Sequence, residues 1–226
     1  MKILSTVILL IIFNCFYSQN NELQSFNLTE FNELIKKSCY EGCEIETFGN
    51  KDFINFKRND SIISMSYHKG GTSDIMKTFG NYYITYDFHP NLKIKSKKEF
   101  ISAISRMSLQ VGLETEYDEK GSIISQFNND TMYYDEKIPG PKKTVWEIAN
   151  RLKKEYNFDI LNDKSLFAIR IFLDEKTKNV NYVVSKLISD ENKILKLFSY
   201  EYNGDSGDFI KMYNSESEIP DGLRHY

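Results

Sequence analysis

The chain has 226 residues, 29 basic and 32 acidic side chains, a formal charge of −3, 41% hydrophobic residues and 14% aromatic residues. A weakly acidic balance argues against a nucleic-acid partner, which calls for a basic patch or stripe. The length allows one or two domains, each able to bury a core without depending on cross-links.

Met1-Lys2 is followed by an almost unbroken apolar block, Ile3 to Phe13, and then by polar Asn14, Tyr17, Ser18, Gln19 and Asn20. That is the shape of a secretory signal. Its apolar part is about ten residues, half of what a membrane-spanning helix needs. Residues 1–18 are therefore expected to be a signal peptide cut between Ser18 and Gln19, leaving a periplasmic or secreted protein without a transmembrane helix. Removing them takes away Lys2 and shifts the formal charge from −3 to −4. Cys15 opens another route, a lipid anchor. The residues before it, Ile12-Phe13-Asn14, are not the small residues of a lipoprotein site, so release is expected over lipidation.

The segment NLTEFNELIKKSCYEG predicts the first helix. Asn27 can cap it with Glu30 three residues on, and Leu28, Phe31, Leu34 and Ile35 share one stripe. Lys36 and Lys37 suit its carboxyl end, and Gly42 stops it. Cys39 and Cys43, in an oxidising compartment, are expected to form a disulfide, with Gly42 allowing the tight turn. A metal site would need more ligands than two thiols, with only His68, His89 and His225 to help. A redox pair would depart from the usual Cys-x-x-Cys spacing. No cofactor and no metal are expected.

Most of the remaining chain reads as strands, because aromatic and β-branched residues cluster in short runs between Gly, Asn, Asp and Lys turns. Strands are predicted at 52–57, 61–68, 75–79, 82–88, 92–101, 107–117, 122–127, 167–174, 180–188, 194–202 and 208–213. Residues 99–106, EFISAISR, also fit a short helix. The lysine-rich run Lys93 to Phe100 reads as a solvated sheet face rather than a phosphate site. Tyr82, Tyr83 and Tyr86 are the densest candidate binding surface, although alternation sends about half of such rings into a core.

Pro139-Gly140-Pro141 breaks any regular element and divides residues 19–138, an N-terminal helix with hairpins, from residues 142–226. The second part begins with a helix capped by Thr144 and Glu147, whose apolar face is Val145, Ile148, Ala149, Leu152 and Tyr156. Trp146, at the edge of that face, is read as packing. The expected fold class is α+β: mainly antiparallel hairpins and meander, with an N-terminal helix and one helix packed on a C-terminal antiparallel sheet.

Gly204-Asp205-Ser206-Gly207 is the tetrapeptide that surrounds the nucleophilic serine of trypsin-like proteases. It aligns with Tyr117-Asp118-Glu119-Lys120-Gly121, and SMSYHKGGTSDIM repeats the pattern of an aromatic strand end, a polar turn and a glycine. The expectation is a hairpin in which glycine supplies a positive φ and Ser206 is turn filler. The protease reading needs a histidine base, His68 or His89, and a third group to orient it. Asp208 stands where that family has glycine, and only 19 residues follow Gly207. Asn203, Asp205 and Asp208 lack the ligand count of a calcium loop. The carboxylate pairs Glu114/Glu116 and Asp118/Glu119 read as a solvated face rather than as glycosidase acids.

Residues 87–96 and 111–125 resemble the tandem hairpin repeats of MORN-type proteins, in particular the YwqK-like antitoxin variant, over about residues 60–130. Gly112, Tyr117, Asp118, Gly121 and Ile123 match the repeat, as do His89, Pro90, Asn91, Leu92 and Lys93 without the usual glycine after Asn91. The resemblance implies a binding or scaffolding surface with no catalytic residues to transfer. The last third is similar to the PepSY module of envelope proteins, with matches at Tyr182, Val184, Tyr202, Gly207 and Ile210.

Nothing in the spacing suggests converging catalytic groups, so no enzyme is expected. The functional expectation is an exported, non-catalytic binding or scaffold protein of the bacterial envelope with a protein or peptide partner. An immunity, antitoxin-like or peptidase-inhibitor protein is the alternative, and a secreted hydrolase is a more distant one.

Overall fold

The structure is a computed structural model that describes residues 23–36, 44–48, 51–102, 108–130, 139–163, 166–189 and 194–218. Residues 1–18, where a signal peptide is expected, and Cys39, Cys43, Gly42 and His225 lie outside the described residues, as does Cys15. Within them the chain is an α+β fold of two helices and two antiparallel sheets. No helix there is long and apolar enough to cross a membrane.

Helix α1, Leu28–Lys36, starts on Asn27, whose Oδ1 accepts the Glu30 N–H at 3.0 Å. It drops Phe31 into a cluster with Phe26, Tyr67 and Phe88. That cluster lies on one face of an eight-stranded meander. Its strands are β1 Glu44–Phe48, β2 Lys51–Arg58, β3 Ser61–His68, β4 Ser73–Phe79, β5 Tyr82–Phe88, β6 Ile94–Ser102, β7 Ser108–Tyr117 and β8 Ile123–Asn128, each paired with the next. The register sets Ile54, Met65, Ile75 and Tyr86 in one buried row and Phe56 against Ile63 in the next. Period-two alternation puts these rows under α1 and their neighbours on the opposite face.

Helix α2, Val145–Tyr156, has the expected capping box: Glu147 N–H donates to Thr144 Oγ1 at 3.3 Å and Thr144 N–H donates to Glu147 Oε2 at 2.9 Å. Asn157, left-handed at φ 51°, ends it. Ile148, Ala149 and Leu152 pack on the second sheet, ordered β12-β11-β10-β9, from β9 Leu166–Leu173, β10 Val180–Ser189, β11 Ile194–Asn203 and β12 Phe209–Glu218.

All eleven predicted strands are present, 61–68 and 82–88 with the expected bounds and the others with shifted ends, and β1 is a twelfth that the sequence reading passed over. β6 begins at Ile94 rather than 92 because Leu92 sits at φ 66° in a turn closed by Leu92 N–H to His89 O at 2.8 Å. Residues 99–102 are strand, and 103–107 lie outside the described residues.

The two parts on either side of Pro139 share a core. Ile101 and Val111 of the large sheet belong to the same apolar cluster as α2 and the small sheet, and Trp146 meets Tyr82 edge-on at 5.3 Å. Asn81 fastens the junction. Its side-chain amide donates to Ile160 O at 2.9 Å and Asp163 O at 2.8 Å, and its backbone N–H donates to Leu161 O at 2.8 Å. Gly80 belongs there because a Cβ would stand 2.3 Å from Leu161 O.

Candidate binding surface

The tetrapeptide forms the turn between β11 and β12. Asn203 Oδ1 accepts the N–H groups of Asp205 and Ser206, each at 2.9 Å, and Gly207 takes φ 75°. The turn is closed by Asn203 N–H to Asp208 O and Gly207 N–H to Asn203 O, both 2.8 Å. Ser206 is exposed, and its Oγ accepts the Asp208 N–H at 3.2 Å. The carboxylates beside it face cations of this chain: Asp205 pairs with Lys142 at 2.7 Å, and Asp208 lies 3.5 Å from Arg151 Nη1.

Neither histidine is gathered to this turn. His89 Nε2 bonds Tyr117 O at 3.0 Å, and the His68 ring lies against Gly71, where a Cβ would overlap it. His68 ends β3 and His89 follows β5, both in the large sheet. Among the described residues, no group of three His, Cys, Asp or Glu could hold a metal ion.

The lysine-rich run divides between faces instead of forming one. Lys97 pairs with Glu99 at 3.3 Å on the helix-bearing face, while Lys98 pairs with Glu114 at 3.0 Å on the other. Glu114 also accepts from Gln110 Nε2 at 2.6 Å, and Glu116 accepts from Ser125 Oγ at 3.0 Å, so each member of that acidic pair has a near neighbour. Asp118 is held below the ordinary carboxylate range, chiefly by the Ser122 N–H and then by those of Lys120 and Gly121.

The tyrosine cluster is split by alternation. Tyr86 is buried under α1, and Tyr82 donates to Glu99 Oε2 at 2.6 Å beneath Trp146. Burial first, then that hydrogen bond, raises the Tyr82 hydroxyl far above its ordinary pKa. Tyr83 alone points to the opposite face, stacked on Phe100 at 4.9 Å and 14°, with its hydroxyl on Ser108 Oγ at 2.8 Å.

That opposite face is the surface the sequence reading missed. Neither apolar cluster takes a described side chain from it. Across five adjacent strands, β3 to β7, the register lines up Ser66, Asp74, Asp87, Ser96 and Glu116. Asp74 and Asp87 stand directly opposite, a like-charge pairing that costs stability unless it is compensated. Asp74 is compensated by Lys51 at 3.1 Å and by Ser66 Oγ, and Asp87 by Ser96 Oγ at 2.7 Å. The row takes one residue from each strand, so only the full register reveals it. On the helix side, Leu23, Gln24, Ser25, Lys93, Ile94, Tyr117 and Lys120 line an open cleft of about 530 Å³. There Lys93 Nζ already donates to Lys120 O at 3.1 Å.

No family model matches the chain, and no curated protein matches it.

Proposed function

We propose that the protein is an exported, non-catalytic binding or scaffold protein of the bacterial envelope that presents the helix-free face of the large sheet to a protein or peptide partner. The observation that carries this reading is the row of carboxylates Asp74, Asp87 and Glu116, the first two held by the buried hydroxyls of Ser66 and Ser96. The row is separated from the Tyr83–Phe100 stack only by the Thr85–Lys98 pair, on a face that contributes no described side chain to the apolar clusters. A flat face of polar groups next to an aromatic anchor suits a partner held by a few rings and many weak polar contacts. The signal-like start supplies the address, and the MORN-type resemblance over about residues 60–130 agrees with a surface built for binding.

The test is a pull-down from envelope extract with the parent chain and with Tyr83→Ala, alongside fluorophosphonate labelling. A stoichiometric partner held by the parent and weakened about tenfold or more by Tyr83→Ala is the expected result, in the range of an interface anchor. Equal capture by both chains, or stoichiometric labelling of Ser206, would overturn the reading.

A further inference from the structure

Lys77 differs from the other half-buried lysines of this protein. The register sets Phe56, Ile63, Lys77 and Ile84 in one row across β2 to β5, so an isoleucine stands directly opposite Lys77 on each side. Alternation places it on the helix-bearing face with Ile75, and its Nζ lies 5.4 Å from the centroid of the Tyr86 ring. Lys97, Lys98, Lys143 and Lys186 are half-buried too, and each meets a carboxylate at 3.3 Å or less. Lys77 has no such ion pair among the described residues.

The charges around Lys77 favour an anion over a cation. Arg58 reaches in from β2, its guanidinium 5.4 Å from the ring of Phe56 in the same row. Glu30 faces the site from α1 but is held by Arg58 Nη2 at 2.6 Å, and from β6 the Lys97–Glu99 pair lies on the same face. An ammonium set between isoleucines gives up hydration that no carboxylate replaces. Burial first, and then the Arg58 charge, holds the Lys77 ammonium below the ordinary lysine range, and Glu30 offsets less than Arg58 contributes. More of this amine is therefore neutral and nucleophilic at neutral pH than at a solvated lysine.

We propose that Lys77 is a carbamylation site, where the neutral Nζ adds to dissolved carbon dioxide. A C–N bond forms, one C=O bond opens and leaves its electron pair on oxygen, and an amine proton passes to solvent. The product is a lysine carbamate, an anion in the field of Arg58. The charge of the product selects carbon dioxide over other small carbonyl compounds. An aldehyde would leave a neutral imine or a cationic iminium, and neither gains from a neighbouring guanidinium. Lys77 lies on the face opposite to the proposed binding surface, so neither site needs the other.

The test is to hold the purified chain in isotopically labelled bicarbonate, trap carbamates by alkylation with triethyloxonium, and map them by mass spectrometry after digestion. Labelled carbamate at Lys77 should exceed that at the exposed Lys69 and Lys120 about tenfold or more. It should decline as pH falls, because an ammonium has no lone pair to offer the carbon. Arg58→Gln changes a side chain that is 54% exposed, so the circular dichroism spectrum should stay unchanged while trapping at Lys77 drops about threefold or more. Trapping at Lys77 no greater than at Lys69 and Lys120, or equal trapping in the parent and in Arg58→Gln, would overturn the proposal.

Discussion

Two turns of this protein share one design and differ in where they sit. In the β7–β8 turn, Asp118 Oδ1 accepts the N–H groups of Lys120 and Ser122 at 2.9 and 2.8 Å, and Gly121 takes φ 92°. In the β11–β12 turn, Asn203 plays the part of Asp118 and Gly207 that of Gly121. A Cβ on Gly121 would meet nothing within 4 Å, whereas one on Gly204 would stand 2.2 Å from Val180 O. Gly204 also bonds on both sides, its N–H to Val180 O at 2.9 Å and its carbonyl to the Lys143 N–H at 2.7 Å. Arg151 adds a bond to Gly207 O at 2.5 Å. A turn motif therefore accounts for the glycine with positive φ, and docking against Val180 of β10 and the Pro141–Lys143 segment ahead of α2 accounts for the second glycine that makes the stretch look like a protease signature.

The largest effect should come from Gly204→Ala. The clash is backbone against side chain at a doubly bonded position, so the loss should reach about 3 kcal/mol or more. Chemical denaturation measures it. Asn203→Ala comes next: two N–H groups lose their acceptor, and the cost should be about 1–2 kcal/mol by the same measurement. Gly121→Ala should cost about 1 kcal/mol, because space is open there and only the positive φ resists a side chain. A Gly121→Ala loss equal to that of Gly204→Ala would break the distinction between a turn in solvent and a docked one.

Much of this fold was legible in the residues, and the gaps have physical causes. Thr144 and Glu147 announced α2 because a capping box is local, and the aromatic runs announced eleven strands because alternation is local too. β1 was passed over because Glu-Ile-Glu-Thr-Phe offers only two apolar residues, with carboxylates that read as solvent-facing. The tail of β12 was missed for the same reason, since Asn214 to Glu218 carries no apolar signal and is a strand only through its pairing with β11. Sequence could not separate Tyr83 from Tyr82 and Tyr86 until the position of α1 and α2 decided which face of the large sheet is covered. Asn81 resembles any turn asparagine in sequence, yet it joins the two parts through residues about eighty positions away.

Acid should tell the two turns apart more gently. Asp118 is held below its ordinary range by N–H donors, so its contribution is complete above the unfolded-state pKa and is lost as pH falls through the lowered folded value. Asn203 does not titrate. The amide resonances of Lys120 and Ser122 should therefore move below the ordinary carboxylate range, while those of Asp205 and Ser206 should respond less. Equal movement in both turns would mean that the shared geometry is sensed through global loosening rather than through Asp118.

Ser206→Ala should have the smallest effect. The hydroxyl is exposed and its one described bond, from the Asp208 N–H at 3.2 Å, is replaceable by water, so the change should stay within about 0.5 kcal/mol. The contrast with Gly204→Ala, two residues away, is the sharpest form of the comparison. If the tetrapeptide serves the main chain, stability should fall with its first glycine and scarcely respond to its serine. A Ser206→Ala loss of more than about 2 kcal/mol would instead show that the side chain is structurally engaged, beyond an ordinary exposed hydrogen bond.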